Sequence, residues 1–142
     1  MTAKQLSVFI ENRQGRLGEV LSVLKKKDIN ILSLSLADTT EYGLLRLIVT
    51  NPELGKDELT VSGFSAMLTE VLVIKLNHFA GSLQGLVKVL SDNGVNLEYM
   101  YGLSIDGDSA TVVVKTSDLK KAEEILNAEG AVTLSASEVT SL

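Results

Sequence analysis

Residues 5–31, QLSVFIENRQGRLGEVLSVLKKKDINI, return in altered form as residues 71–97, VLVIKLNHFAGSLQGLVKVLSDNGVNL. A shift of 72 − 6 = 66 residues carries Leu6 to Leu72, Gly15 to Gly81, Leu17 to Leu83, Val23 to Val89, Leu24 to Leu90 and Asn30 to Asn96, and further along Thr50 to Thr116. Positions that are not identical keep their character, as in Val8/Ile74, Ile10/Leu76, Val20/Leu86, Leu21/Val87, Ile29/Val95, Ile31/Leu97, Leu47/Val113 and Ile48/Val114. The chain is one structural unit used twice.

The hydrophobic period changes in the same order in both copies. Residues 5–10 and 71–76 read as strands. Leu17, Val20, Leu21 and Leu24 recur at i, i+3, i+4 and i+7, as do Leu83, Leu86, Val87 and Leu90, and each set makes one apolar helix stripe. Lys25, Lys26 and Lys27 complement the negative end of the first helix, and Gly94 stops the second. Alternating stretches follow at 29–37 and 95–105, each leading through a turn into Leu44–Thr50 and Ala110–Lys115; Asp106-Gly107 marks the second turn.

Asn51-Pro52 caps a short helix weakened by Gly55, and Ser117 or Asp118 caps its counterpart, whose inner face is Leu119, Ala122, Ile125 and Leu126 and whose stop is Gly130. Closing strands are expected at Phe64–Glu70 and Ala131–Val139. Their offset of 131 − 64 = 67 is ascribed to a second helix one residue longer.

The order βαββαβ gives the fold class: α+β, two ferredoxin-like units, each a four-stranded antiparallel sheet with two helices on one face. The expected division is 1–69 and 70–142. A unit of this size has a limited core, so covering its open sheet face and edge strand gives a physical motive for pairing, and a homodimer is expected. In the second strand Leu32, Leu34 and Leu36 share one parity while Tyr99, Tyr101 and Leu103 take the other; a β-bulge would reconcile them.

Composition removes several function classes. With 13 Lys+Arg against 18 Asp+Glu the net charge is −5, which excludes a strongly basic nucleic-acid or membrane-surface binder. Aromatic residues are 4% with no Trp, too sparse for a base-stacking platform. Cysteine is absent, so thiolate metal sites and Cys nucleophiles are absent too. The lone His78 has neither a metal-ligand set nor a triad around it. No catalytic residue, metal or cofactor is expected, and the run Val71–Ile74 is far too short to span a membrane, so the chain reads as cytoplasmic.

The chemistry falls on the turns from first strand to first helix, Glu11-Asn12-Arg13-Gln14-Gly15-Arg16-Leu17 and Asn77-His78-Phe79-Ala80-Gly81-Ser82-Leu83. A Gly at a helix N-terminus lets a ligand approach backbone N–H groups at the positive end of the dipole; it is also ordinary turn punctuation. Arg13 and Arg16 offer bidentate partners for a carboxylate or stay solvated.

The run Ile10–Leu17, with Ile29-Asn30-Ile31 a helix later, resembles the amino-acid-binding ACT domain, notably the serine-sensing regulatory domain of phosphoglycerate dehydrogenase. The resemblance covers the chain as two tandem copies. It implies domains paired along the first-helix and second-strand edge, with small amino acids bound between them. Asn12, Arg13, Gln14, Gly15, Arg16 and Leu17 would line one site, with Asn30 and Ile31 entering from the paired domain. By position, His78, Ala80, Gly81, Ser82, Leu83 and Asn96 are the second copy's equivalents. Gln14 and Ala80 stand where that family often has Pro, and Ile10 where the serine sensors have His.

The reading favoured is a non-catalytic regulatory protein that binds a small amino acid or related metabolite. The alternative is a subunit of an amino-acid biosynthetic enzyme, of the acetolactate synthase small-subunit type, working by contact without its own ligand. Arg13 and Asn30 superficially fit acyl-phosphate hydrolysis, but only Gly15 stands where such enzymes have a glycine-rich cradle.

Overall fold

The computed structural model describes residues 1–38 and 41–142. The turn expected after residue 37 includes Thr39 and Thr40, which lie outside the described residues. The chain divides into an N-terminal unit, Lys4–Thr69 with Thr140–Leu142, and a C-terminal unit, Glu70–Val139 with Met1–Ala3.

The first copy runs β1 (Ala3–Glu11), α1 (Arg16–Lys26), β2 (Ile31–Asp38), β3 (Tyr42–Val49), α2 (Pro52–Val61) and the opening part of β4 (Ser65–Asn77). The second runs through the rest of β4, then α3 (Ser82–Asp92), β5 (Leu97–Asp106), β6 (Ser109–Thr116), α4 (Leu119–Ala128) and β7 (Val132–Thr133); α5 (Ala136–Thr140) closes the chain. Strand orders are β2-β3-β1-β4 and β5-β6-β4-β7. The β1–β3, β2–β3, β4–β6, β4–β7 and β5–β6 ladders are antiparallel. Each unit is the expected split βαβ arrangement.

Cross-strand pairs decide which residues share a face. Leu6 faces Leu47 and Val8 faces Leu45, and all four are fully buried under Val20 and Leu24 of α1 and Leu59 of α2. The second unit repeats this with Leu72, Ile74 and Val114 beneath Leu86, Leu90, Ala122 and Leu126. Gly55 explains how closely α2 can approach. A Cβ there would sit 3.1 Å from Leu6 Cδ2 and 3.4 Å from Leu24 Cδ2, so the glycine that lowers helix propensity also permits the packing. Its counterpart, by the matching bonds Gly55 N–H to Asn51 O and Ala122 N–H to Asp118 O, is the fully buried Ala122.

Four local expectations are corrected. α2 and α4 are both ten residues long, so helix length does not cause the 67-residue offset. β5 has register shifts between Leu97 and Tyr99 and between Gly102 and Ser104, whereas β2 has one, between Ile31 and Ser33. Leu103 in the second shift is the extra residue, and beyond it Leu47 corresponds to Val114, Ile48 to Lys115 and Thr50 to Ser117. The bulge both strands share does not restore the parity of the second strands. Leu34 faces Leu47 where Met100 faces Val114, so Tyr99 and Tyr101 occupy the positions of Ser33 and Ser35.

The last strand, expected through Val139, is two residues long. Ser135 Oγ accepts the Glu138 N–H at 3.2 Å and Glu138 Oε2 accepts the Ser135 N–H at 2.7 Å, a capping box that starts α5 instead.

Candidate functional site

The two strand-to-helix turns have nearly the same backbone. Gly15 has φ 88° and ψ −15°, and Gly81 has φ 90° and ψ −13°. A Cβ at either would meet nothing within 4 Å, so glycine is required by the left-handed conformation and not by crowding. No side chain caps either helix; the first N–H of α1 and of α3 is taken by a carbonyl of its own turn, Arg16 N–H by Arg13 O and Ser82 N–H by Phe79 O, and the next N–H groups have no side-chain cap. Each turn is tied to the neighbouring hairpin by one backbone bond, Asn12 N–H to Glu41 O at 2.9 Å and His78 N–H to Asp108 O at 2.7 Å.

Asn12, Arg13, Gln14 and Gly15 are exposed together on the first turn. Arg13 Nε donates to Glu11 Oε2 at 2.7 Å, and that hydrogen bond, with the arginine's charge, holds the Glu11 carboxyl below its ordinary range. Arg16 is committed inward. Its guanidinium lies 4.2 Å from the centre of the buried Phe64 ring and donates through Nη1 to Glu19 Oε2 at 2.5 Å, while its Nε is buried without a partner. Leu17 packs against the core.

Asn30 and Ile31 lie beyond the other end of α1, about 16 Å away along an eleven-residue helix. Their own unit therefore does not bring them to the Gly15 turn. The Asn30 backbone is fixed by Thr50 N–H to Asn30 O and Asn30 N–H to Thr50 Oγ1, both at 3.0 Å; Asn96 makes the same pair of bonds with Ser117. On the second turn His78, Ala80 and Gly81 are exposed, Ser82 is half-buried and Leu83 is 44% exposed. Among the described residues no group of three or more His, Cys, Asp or Glu could hold a metal ion, and no helix is long and apolar enough to cross a membrane.

A feature the sequence reading missed adjoins the second turn. A cavity of about 700 Å³ opens in the C-terminal unit beside Gly81 and Ser82, with Gly85, Leu86 and Val89 of α3 on one side and Leu126, Glu129, Ala131 and Leu134 on another. Phe79, 64% exposed, also lines it. The available signal was the run of small residues Gly81, Ser82 and Gly85 where the first copy has Gly15, Arg16 and Glu19.

Residues 1–139 match the family described as "ACT domain pair". The chain is similar throughout to the crystal structure of protein BT0572 from Bacteroides thetaiotaomicron, at 37% identity and a TM-score of 0.94, covering 100% of this chain and 98% of that one. It also shares a fold with the ligand-free regulatory subunit of aspartate kinase from Thermus thermophilus, at 12% identity and a TM-score of 0.64, covering 88% of this chain and 90% of that one. No curated protein matches.

Proposed function

Because the chain belongs to the ACT domain pair family, a regulatory kind of domain, we propose that it is a non-catalytic regulator that binds a small amino acid or related metabolite through domain pairing. The observation that carries this reading is the duplicated turn: two left-handed glycines with matching dihedral angles, each opening a helix whose first N–H groups have no side-chain cap. A carboxylate is stabilised in that position by N–H donors and the helix dipole. Asn12 beside Gly15 adds an amide able to donate and to accept, which suits a group bearing both charges.

Pairing is the second element. β2 lies at the edge of its sheet, and its Leu34 and Leu36 are 48% and 46% exposed, apolar surface that a second copy of the chain would cover. In that homodimer Asn30 and Ile31 would approach the partner's turn, since their own unit holds them at the far end of α1. The fold shared with a regulatory subunit of aspartate kinase supports an output to an amino-acid biosynthetic enzyme.

A thermal-shift panel of amino acids and 2-oxo acids tests the reading. A ligand at about 100 times its dissociation constant adds about 2.7 kcal/mol of stability. The expected result is a selective shift that is lost in Asn12→Ala or in Gly15→Val shown to be folded by circular dichroism. No shift with any compound would transfer the proposal to a subunit acting by contact alone.

A further inference from the structure

Hydrogen bonds fix which residues of the two copies correspond around the cavity. Arg16 N–H bonds Arg13 O as Ser82 N–H bonds Phe79 O, and Glu19 N–H bonds Gly15 O as Gly85 N–H bonds Gly81 O. Phe64 N–H bonds Leu59 O as Ala131 N–H bonds Leu126 O. In the ladders Glu11 faces Tyr42 where Asn77 faces Ser109. Four large side chains of the N-terminal unit, Arg16, Glu19, Tyr42 and Phe64, thus correspond to Ser82, Gly85, Ser109 and Ala131.

In the N-terminal unit the space is filled from within: Phe64 is 6% exposed, Arg16 stacks on its ring and Glu19 holds the guanidinium. In the C-terminal unit the same place is the cavity of about 700 Å³, within the range of small-molecule sites and too large for one water. Its lining is mainly apolar, and its charged residues are one cation, Lys75, and one anion, Glu129, neither ion-paired among the described residues. An apolar wall with balanced charge suits a ligand of no net charge, whereas a phosphate or nucleotide would find no excess of cations.

We propose that this cavity binds an α-amino acid with a ring-sized apolar side chain, the ring taking the volume that Phe64 fills in the other copy. The inference deepens the proposed function and rests on it for the amino-acid class, because Gly81 and Ser82 belong both to the cavity and to the second turn. The two copies then differ in kind: the C-terminal unit holds a ligand inside itself, and the N-terminal unit carries its own plug.

Calorimetric titration of the full chain with L-phenylalanine, and with L-serine as the small comparator, tests this. L-Phenylalanine is expected to bind at least tenfold more tightly than L-serine, a difference of about 1.4 kcal/mol. The double variant Ser82→Arg/Ala131→Phe, which copies the N-terminal plug, is expected to weaken phenylalanine at least tenfold. Gly85→Leu, at a helical position with open space around its Cβ, gives the same readout if the double variant does not fold.

Phenylalanine binding that survives both substitutions would overturn the proposal, as would no binding of phenylalanine by the unaltered chain. If L-serine binds equally to all three proteins, the cavity proposal fails and the regulatory reading stands. If neither amino acid binds, the cavity proposal fails, and the wider panel decides the regulatory reading.

Discussion

Replacing Phe64 with Ala should cost the N-terminal unit about 3–5 kcal/mol, the usual range for deleting a well-buried phenyl ring. Phe64 earns the full range because it is 6% exposed and belongs to a cluster with Leu6, Val20, Leu24 and Leu59. Losing the Arg16 stack at 4.2 Å removes about 0.5–1 kcal/mol of that same sum. Arg16→Ala alone should cost less than about 1 kcal/mol. It forfeits the stack and a half-exposed ion pair to Glu19, but it also removes an Nε that is buried without a partner, a defect worth about 1–3 kcal/mol.

Urea denaturation followed by circular dichroism measures both variants. With a slope of about 2 kcal/mol per molar, Phe64→Ala should lower the midpoint by about 1.5–2.5 M, while Arg16→Ala leaves it within about 0.5 M. In the double-mutant cycle the coupling should match the stacking energy. A Phe64→Ala loss below about 1 kcal/mol would refute the reasoning, because it would mean that the ring is not the plug that keeps this unit closed.

Two further outcomes follow from the caps and the acids. Asn51→Ala removes the Oδ1 that accepts Leu54 N–H at 3.2 Å, and Asp118→Ala the one that accepts Lys121 N–H at 3.0 Å; each should cost about 1 kcal/mol in urea titrations, with Asn51→Asp spared. Glu11 is held below the ordinary carboxyl value of 4.5 chiefly by the hydrogen bond from Arg13, and Glu138 chiefly by the Ser135 N–H, so both bind a proton less readily folded than unfolded. Their stabilisation is therefore present above pH 4.5 and drains as pH falls through the lowered folded values, and Glu11→Gln/Glu138→Gln should flatten the acid limb of a stability–pH curve.

What was legible in the sequence was local. The apolar stripes of α1 and α3, the Asn51 cap and the turn glycines are each set by residues within a few positions of one another, and the structure places them as read except that Leu83 of the α3 stripe is exposed; of Ser117 and Asp118 it is Asp118 that caps α4. The capping box at Ser135-Ala136-Ser137-Glu138 was equally local. An alternating apolar pattern, Ala131 to Val139, hid it: Val132 and Thr133 satisfy a strand, and the reciprocal bonds of Ser135 and Glu138 then end it.

The cavity was legible only in part, for a reason that lies in β5. At a shift of 66 Arg16 and Glu19 already stand against Ser82 and Gly85, and the 67-residue offset of the closing strands sets Phe64 against Ala131, but the linear sequence does not show that these positions border one space. Leu103, in the second bulge of β5, advances the register by one, which is the cause of the offset that sets Phe64 against Ala131 and also sets Tyr42 against Ser109. A one-residue slip in a strand moves every later side chain to a new partner, so all four emptied positions come together only when hydrogen bonds set the alignment. The repeat thus conserves the element order while the side chains filling the same space diverge, and that divergence decides which copy has room for a guest.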